Sequence, residues 1–266
     1  MSSADLPLPD EPGSFDMRDV LQLVARFQRA WTSEPPVDDG NLLPAALSRA
    51  AMRVLGADGA GISMMTEPSY RLPLGASDTA SATAERLQFT VGEGPCFTAY
   101  AQGRPVVVTE AGMTEQWPVL ASLHFDQTPF RGGLSIPLHV GGTRLGVLDL
   151  YLHRSRPVDG HEVVAAQLIA DHLGEALVGT LTGSETEDAF AGHLELTPRW
   201  LTTERVRARR DVWVAVGMAN LVLGVPGDEA LALLRARAVS EGHTLDALAH
   251  DVVVARYDVA DLLPEQ

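Results

Sequence analysis

The chain has 266 residues, of which 35 are acidic, 20 are basic and 45% are hydrophobic, and its formal net charge is -15. This length predicts two domains rather than one. The negative charge argues against unspecific coating of nucleic acid or of an anionic membrane, because the long-range field repels phosphate. Every basic residue is an arginine, a side chain that contacts phosphate and base edges bidentately where it is clustered.

The N-terminal residues 1–14 are acidic and rich in proline, with little apolar content. This composition predicts disorder and lacks the features of a signal peptide. A single cysteine excludes an internal disulfide, which suits a reducing compartment. No apolar run reaches the roughly 18 residues that a membrane span needs. We therefore expect a cytoplasmic protein with no membrane contact.

The first predicted element is a helix from Asp16, its candidate N-cap, to Trp31. Its large apolar residues are spaced alternately three and four apart, as in a coiled-coil seam: Met17, Val20, Val24, Phe27 and Trp31. The segment SEPPVDDG breaks the helix. We assign residues 15–40 to a helix and loop that favour a homodimer, since the helix precedes the compact part of the chain. The alternative is that the seam packs on its own domain.

Residues 41–182 have the pattern of a mixed α and β unit. An amphipathic helix ends near Gly56, and a second helix closes the unit from about Val158 to Leu181. Short strands separated by glycine turns are predicted between the two helices at GISMM, VVVT, LSIPLHV and LGVLDLYL. Residues 183–198 carry four acids and no basic residue, which is typical of a linker.

Residues 199–258 are predicted to form three helices, followed by a tail at 259–266. The first helix ends at Gly224, the second ends near Gly242, and the third begins at the N-cap candidate Thr244. The apolar stripe of the first helix comprises Val212, Ala215, Ala219 and Val222. Three such stripes can bury one another in a small bundle.

Three segments of the central unit resemble a GAF domain: GADGAGISMM, VGEGPCFTAYAQGRPVVVTE and GGLSIPLHVGGTRLGVLDLY. The resemblance implies an α+β fold in which helices flank an antiparallel sheet. It also implies a sensor that takes an unidentified small-molecule ligand or only dimerises. No motif specifies a particular cofactor, so none is assigned.

Cys96 follows Gly94-Pro95 at a predicted helix start, where a thiolate would be stabilised. We weigh a redox sensor at Cys96 against a small buried residue. His124 and His139 could suggest haem or a metal, but no histidine or cysteine cluster has metal-ligand spacing, and no metal site is predicted. The chain lacks the P-loop, HExxH and GxSxG motifs, and we expect no enzymatic activity.

The segment DVWVAVGMANLVLGVPGDEALALLRARAVSEGHTLDALAHDVV resembles an ANTAR domain. The resemblance implies binding to RNA, at paired stem-loops of nascent leaders, and transcription antitermination; DNA is not an expected partner. The residues assigned to helix packing are Ala215, Gly217, Leu234 and Ala238. Ala215 and Gly217 are expected to let a neighbouring helix approach closely. Val214 departs from the family, which usually has a polar residue there.

A surface rich in arginine with one tryptophan suits RNA loops, whose splayed bases stack on aromatic rings and guanidinium planes. The candidate RNA contacts are Arg205, Arg209, Arg210, Trp213, Asn220 and Arg235. The alternatives are a solvated arginine face and a buried Trp213.

The sequence thus predicts an antitermination regulator that binds RNA and carries a GAF sensor. The predicted fold is a compact α+β sensor domain followed by a three-helix bundle. A protein–protein adaptor without RNA binding is the first alternative. A redox sensor acting through Cys96 is the second.

Overall fold

A computed structural model describes residues 17–33, 43–67, 70–182 and 204–263. The predicted disorder of residues 1–14, the N-cap Asp16 and the linker at 183–198 lie outside these ranges. We call the described part of 17–182 the sheet domain, and residues 204–263 the C-terminal bundle.

The sheet domain is built on five antiparallel strands in the order β2-β1-β5-β4-β3. The strands are β1 Gly59–Glu67, β2 Tyr70–Ala76, β3 Val106–Val108, β4 Gly132–Val140 and β5 Thr143–Leu152. The predicted antiparallel sheet flanked by helices is confirmed. Strand β2 was not predicted, because Pro73 interrupts it. The proline is tolerated since β2 is an edge strand, where a missing N–H breaks no central ladder.

Seven helices surround this sheet in the described ranges. They are α1 Met17–Thr32, α2 Leu43–Leu55, α3 Thr79–Val91, α4 Pro95–Gln102, α5 Glu110–Gln116, α6 Pro118–Gln127 and α7 Gly160–Thr182. Helices α1, α2 and α7 share an apolar core with one face of the sheet, and α3 and α4 contact the other face. Successive side chains of β5 point to opposite faces of the sheet. Leu148 lies in the core with α1, α2 and α7, while its neighbour Asp149 does not.

Helix α1 is part of the sheet domain rather than a separate element. Phe27 is 1% exposed and lies in the core formed with α2 and α7, and Leu23 and Trp31 pack against the same core. The expectation that this helix stands outside the compact unit is therefore wrong, because its seam has a partner in its own chain. Leu21 on the opposite side is 62% exposed. A homodimer through this helix stays a prediction.

The three predicted C-terminal helices are present as α8 Glu204–Leu223, α9 Gly227–Ser240 and α10 Leu245–Val253. Gly224 and Gly242 adopt positive φ angles of 69° after α8 and α9, a conformation that favours glycine. The Thr244 hydroxyl accepts a hydrogen bond from the Ala247 N–H at 3.3 Å, which confirms the predicted N-cap of α10.

Two predictions about packing in α8 need correction. Val222 is 58% exposed, and the buried stripe uses Val216 together with Val212, Ala215 and Ala219. Gly217 faces open space, with no described atom within 4 Å of a Cβ added there, so it permits no close helix approach. The cause is the 100° rotation per residue, which turns position 217 away from a stripe centred on 212, 215, 216 and 219.

The other residues assigned to packing, Ala215, Leu234 and Ala238, are completely buried in the bundle. The segment predicted as a tail also contributes to this core. A 3-10 helix at Val259–Leu262 buries both of its terminal residues. The bundle therefore extends beyond the predicted boundary at 258, because two apolar side chains beyond it reach the core.

No single helix in the described part of the chain is long and apolar enough to span a membrane. Helices α8 and α9 meet that criterion only as a pair, and they are bent by 108° with respect to each other.

Candidate functional site

A buried polar network lies on the sheet face that α3 covers. Arg71 of β2, 1% exposed, pairs with Glu85 of α3 and lies 3.5 Å from an oxygen of Asp149 of β5. Its Nη1 donates to the Glu85 backbone oxygen at 2.6 Å. Ser63 donates to Glu85 at 2.7 Å, and Ser135 donates to Asp149. Each carboxylate thus has donors, as buried charges require.

The same network extends to helix α4. The Tyr151 hydroxyl donates to Glu85, Gln88 donates to that hydroxyl at 3.4 Å, and the Gln88 side chain accepts the N–H of Cys96 at 3.1 Å. Burial raises the pKa of Asp149 and of Tyr151 well above their usual values. Glu85 is the main counterion of Arg71, because its carboxylate lies closer to the guanidinium than the oxygen of Asp149 at 3.5 Å does.

Cys96 is completely buried at the start of α4. Burial raises the pKa of its thiol well above the ordinary value. This desolvation outweighs the favourable charge of Arg71, so the surroundings of Cys96 favour the thiol, and the thiolate expected at a helix start stays a prediction.

The C-terminal bundle contacts the sheet domain at Phe89 of α3, a residue with no exposed surface. The guanidinium carbon of Arg209 in α8 lies 3.2 Å from the centre of the Phe89 ring, and that of Arg235 in α9 lies 5.4 Å from it. The Arg235 guanidinium packs against Gly92, where an added Cβ would lie 2.7 Å from it, and the φ of 84° at this position favours glycine. Desolvated cation–π pairs of this kind contribute about 2 kcal/mol.

Arg209 is 2% exposed and its Nη1 lies 3.2 Å from Oδ1 of Asp246 in α10. The two atoms form an ion pair without hydrogen-bond alignment, and neither has a protein hydrogen-bond partner among the described residues. Burial lowers the pKa of Arg209 to about 9 and raises that of Asp246. The guanidinium stays charged at neutral pH, but it is held in a poorly solvated position.

A hydrogen bond also joins the two modules. Thr90 of α3 is 1% exposed, and its hydroxyl accepts the N–H of Leu245 at 3.0 Å. Leu245 is the first residue of α10, where backbone N–H groups have no partner inside the helix. The sheet domain thus satisfies a buried donor of the bundle.

Apolar contacts surround these polar ones. One buried cluster contains Phe89, Cys96 and Phe97 of the sheet domain together with core residues of the bundle such as Val212 and Leu248. The bundle is therefore docked on the sheet domain through a shared core with a charged centre.

The predicted RNA contacts do not form one exposed surface. Arg209 is buried, Arg235 is half-buried, and Trp213 is half-buried and packs on the shared core. Arg210 and Asn220 are exposed. The reason is that α8 has two buried faces, one towards its own bundle and one towards the sheet domain.

The Asn220 amide donates to the backbone oxygen of Val225, in the connection that follows α8, at 2.5 Å. Arg205 belongs to α8, but its side chain lies outside the described residues.

The two histidines considered for haem or metal differ in environment. His124 is 2% exposed among aromatic rings, with centroids 6.0 Å from Phe125, 6.4 Å from Phe130 and 6.2 Å from Tyr151. Burial, and then the charge of Arg131, lower its pKa to about 4. Within the described ranges, no group of three or more His, Cys, Asp or Glu side chains is placed to hold a metal ion. His139 lies in β4, away from His124 along the chain.

Sequence reasoning missed Phe89, Thr90 and Asp246, and the network around Arg71. Phe89 and Thr90 look like ordinary helix residues, since their partners lie more than a hundred positions away in the chain. One available signal was Arg71 in an otherwise apolar strand, RLPLGA, because a charge there needs a buried partner.

A sequence model described as GAF domain matches residues 40–178. No curated protein matches the chain.

Three solved structures are similar to it. The GAF domain of a phosphoenolpyruvate-protein phosphotransferase from Coxiella burnetii is 16% identical, covering 63% of this chain and 98% of that one, with a TM-score of 0.46. A free methionine-R-sulfoxide reductase from Neisseria meningitidis is 17% identical, covering 64% and 94%, with a TM-score of 0.43. The GAF domain of an Acinetobacter phosphoenolpyruvate-protein phosphotransferase is 12% identical, covering 62% and 97%, with a TM-score of 0.43.

Proposed function

Since the chain belongs to the GAF domain family, we propose that it is a signal-sensing regulator whose C-terminal bundle is an RNA-binding output module. The sheet domain is the sensor, and the bundle acts in transcription antitermination as a non-enzymatic effector. The observation that carries this proposal is the docking of Arg209 and Arg235 against Phe89 of the sensor.

This contact is suited to regulation because favourable apolar contributions to docking are opposed by the unfavourable burial of charge. The apolar part favours docking, but burying an arginine costs several kcal/mol unless its donors are satisfied. Arg209 and Arg235 each keep two buried nitrogen atoms without a protein partner in the described part of the chain. The free-energy difference between the docked and the released form is therefore small compared with the summed energies of the docking contacts. A signal at the sensor can shift the equilibrium between the two forms.

Release of the bundle makes its arginines available to nucleic acid. Arg209 and Arg235 leave Phe89 and join the exposed Arg207 and Arg210 near the start of α8. Guanidinium groups stack on unpaired bases and bind phosphate, and the half-buried Trp213 adds an aromatic surface beside them. Paired RNA stem-loops fit this proposal through the resemblance of α8 to α10 to ANTAR domains, and a homodimer would present two such surfaces.

The test is fluorescence anisotropy of a labelled RNA with two stem-loops, titrated with the full chain at several salt concentrations. Arg210→Ala is expected to weaken binding and to reduce its salt dependence by about one phosphate contact. Arg104→Ala is the matched control, since Arg104 is an exposed arginine of the sensor. Equal affinities of the wild type and Arg210→Ala at every salt concentration would remove this face from the proposal.

A protein–protein adaptor is the second candidate, and an apolar strip on α8 favours it. Val214 is 42% exposed and Leu221 is 83% exposed, and their separation of seven positions places both on one side of the helix. Such side chains are typical of a contact with another protein. If Leu221→Glu abolishes association with a partner protein while no stem-loop RNA binds the wild type, the adaptor is the better account.

A further inference from the structure

A cavity of about 270 Å³ lies between the sensor and the docked bundle. Ala82, Glu85 and Arg86 line it from α3 of the sensor, and Ala208, Arg209 and Asp246 line it from α8 and α10. Because its walls come from both modules, the cavity is complete only when the bundle is docked.

Arg209 marks this cavity as a site for an acceptor. The side chain is 2% exposed, and its Nε and Nη1 are buried without a protein hydrogen-bond partner in the described ranges. An unsatisfied buried donor costs about 1–3 kcal/mol, and more when it is charged. These two nitrogen atoms have almost no accessible surface, so an anion in the cavity would offset part of that cost through its charge.

The charges around the cavity specify the sign of the acceptor. Glu85, the nearest carboxylate on the sensor side, already accepts hydrogen bonds from Ser63, Arg71 and Tyr151. Arg86 and Arg209 then face a single remaining carboxylate in the lining, that of Asp246, whose Oδ1 lies 3.2 Å from Arg209 Nη1 and has no hydrogen-bond partner in the described ranges either. The excess positive charge favours an anion over a neutral or cationic ligand.

We propose that this cavity binds a small oxyanion, a phosphate or carboxylate group, through Arg209 and with Arg86 at its edge. The volume accommodates such a group on a small metabolite but not a polymer. The binding is independent of RNA. Its consequence rests on the proposed function: an anion that touches both walls binds only the docked form, so it holds the bundle on the sensor and keeps RNA from Arg209.

The experiment is thermal unfolding of the full chain in rising concentrations of sodium phosphate or of sodium acetate, each compared with sodium chloride at equal ionic strength. One of the two anions is expected to raise the unfolding midpoint by about 5 °C or more at about 100 times its Kd. The anion that does so identifies the group as phosphate or carboxylate. Absence of an effect of both anions on the wild type would overturn the proposal.

Three variants locate the site. Arg209→Gln removes the charge and is expected to abolish the stabilisation, whereas Arg210→Gln, at an exposed neighbour on α8, is expected to keep it. Ala208→Met fills the cavity without changing a charge and is also expected to abolish the stabilisation. It therefore tests whether the anion binds in this cavity if Arg209→Gln does not fold. Equal stabilisation of the wild type and Ala208→Met would place the anion elsewhere and overturn the proposal.

The two proposals fail in different ways. If the anion stabilises the protein but neither the wild type nor a released bundle binds RNA, the proposed function is refuted and the anion site stands. If RNA binding does not respond to the stabilising anion, only the claim that the anion keeps RNA from the bundle is refuted.

Discussion

Arg209 of α8 and Asp246 of α10 form the buried ion pair of the docked structure. Replacing them singly and together measures how much this pair contributes to the free energy of unfolding. Arg209→Met keeps the length of the side chain but removes the charge, and Asp246→Asn removes the counterion. The side chains are 3% and 12% exposed, and their charged atoms are 3.2 Å apart. Removing one member of a fully buried pair costs about 3–5 kcal/mol.

The expected loss lies at the lower end of that range. The pair lacks hydrogen-bond alignment, and burial, which raises the pKa of Asp246, makes the carboxyl left behind in Arg209→Met easier to protonate. We expect Arg209→Met to lower the free energy of unfolding by about 3 kcal/mol, including its stacking on Phe89, and Asp246→Asn by about 2 kcal/mol. The double variant should lose about 2 kcal/mol less than the two losses added together, which is the coupling energy.

Urea unfolding followed by circular dichroism at neutral pH measures these energies, provided that the slope with denaturant is unchanged between variants. The matched control is the pair Arg156 and Glu162, whose side chains are 43% and 37% exposed and 2.7 Å apart. Its coupling should be below about 1 kcal/mol, because solvent screens it. Additive losses for Arg209 and Asp246, within about 0.5 kcal/mol, would refute the interpretation of Arg209 as an ion-paired docking residue.

Three further predictions concern the sensor. Because the folded pKa of His124 is about 4 and the usual value is 6.5, stability is complete above pH 6.5 and falls by about 3 kcal/mol as the pH drops towards 4; urea titrations should show this slope disappear in His124→Asn and persist in His243→Asn, at an exposed histidine. Gly146→Ala should cost about 3 kcal/mol, since its Cβ would collide with a backbone oxygen of β1, whereas Gly142→Ala meets open space; equal melting temperatures would contradict this. Cys96 should react with iodoacetamide only on unfolding, owing to its burial and raised pKa; rapid labelling of the native chain would restore the redox hypothesis.

The sheet and the three C-terminal helices were predictable because their signals are local. Alternation at LSIPLHV and LGVLDLYL specifies strands, and Gly224, Gly242 and Thr244 specify helix ends. Strand β2 was not predicted, since Pro73 and the charged Arg71 together weaken its pattern, whereas Pro137 in LSIPLHV has no charged residue near it in the segment.

The candidate site was harder because its signals are not local. At 100° per residue, Arg209 lies about 20° from Val216 and about 80° from Ala219 around α8, so it borders the buried stripe. The predicted stripe omits Val216 and therefore leaves Arg209 on a face that is expected to be exposed. That expectation fails because the side of α8 next to its own core packs on the sheet domain. Phe89 and Asp246, which bury Arg209, are far from it in the chain, and no spacing rule connects them.

The central claim is that docking on the sensor controls whether the bundle binds RNA. Thr90→Val tests it most directly, because the change lies on the sensor and removes only the acceptor of the Leu245 N–H. Leaving that donor unsatisfied should weaken docking by about 1–3 kcal/mol. Thr83→Val is the matched control, since the Thr83 hydroxyl donates to the Thr79 oxygen and accepts from Arg86, both within α3.

The measurement is the Kd of the full chain for the RNA with two stem-loops. We expect Thr90→Val to bind between about 5-fold and about 100-fold more tightly than the wild type, and Thr83→Val to bind like the wild type. An affinity for Thr90→Val equal to or below that of the wild type would contradict the claim that the sensor restrains an RNA-binding bundle.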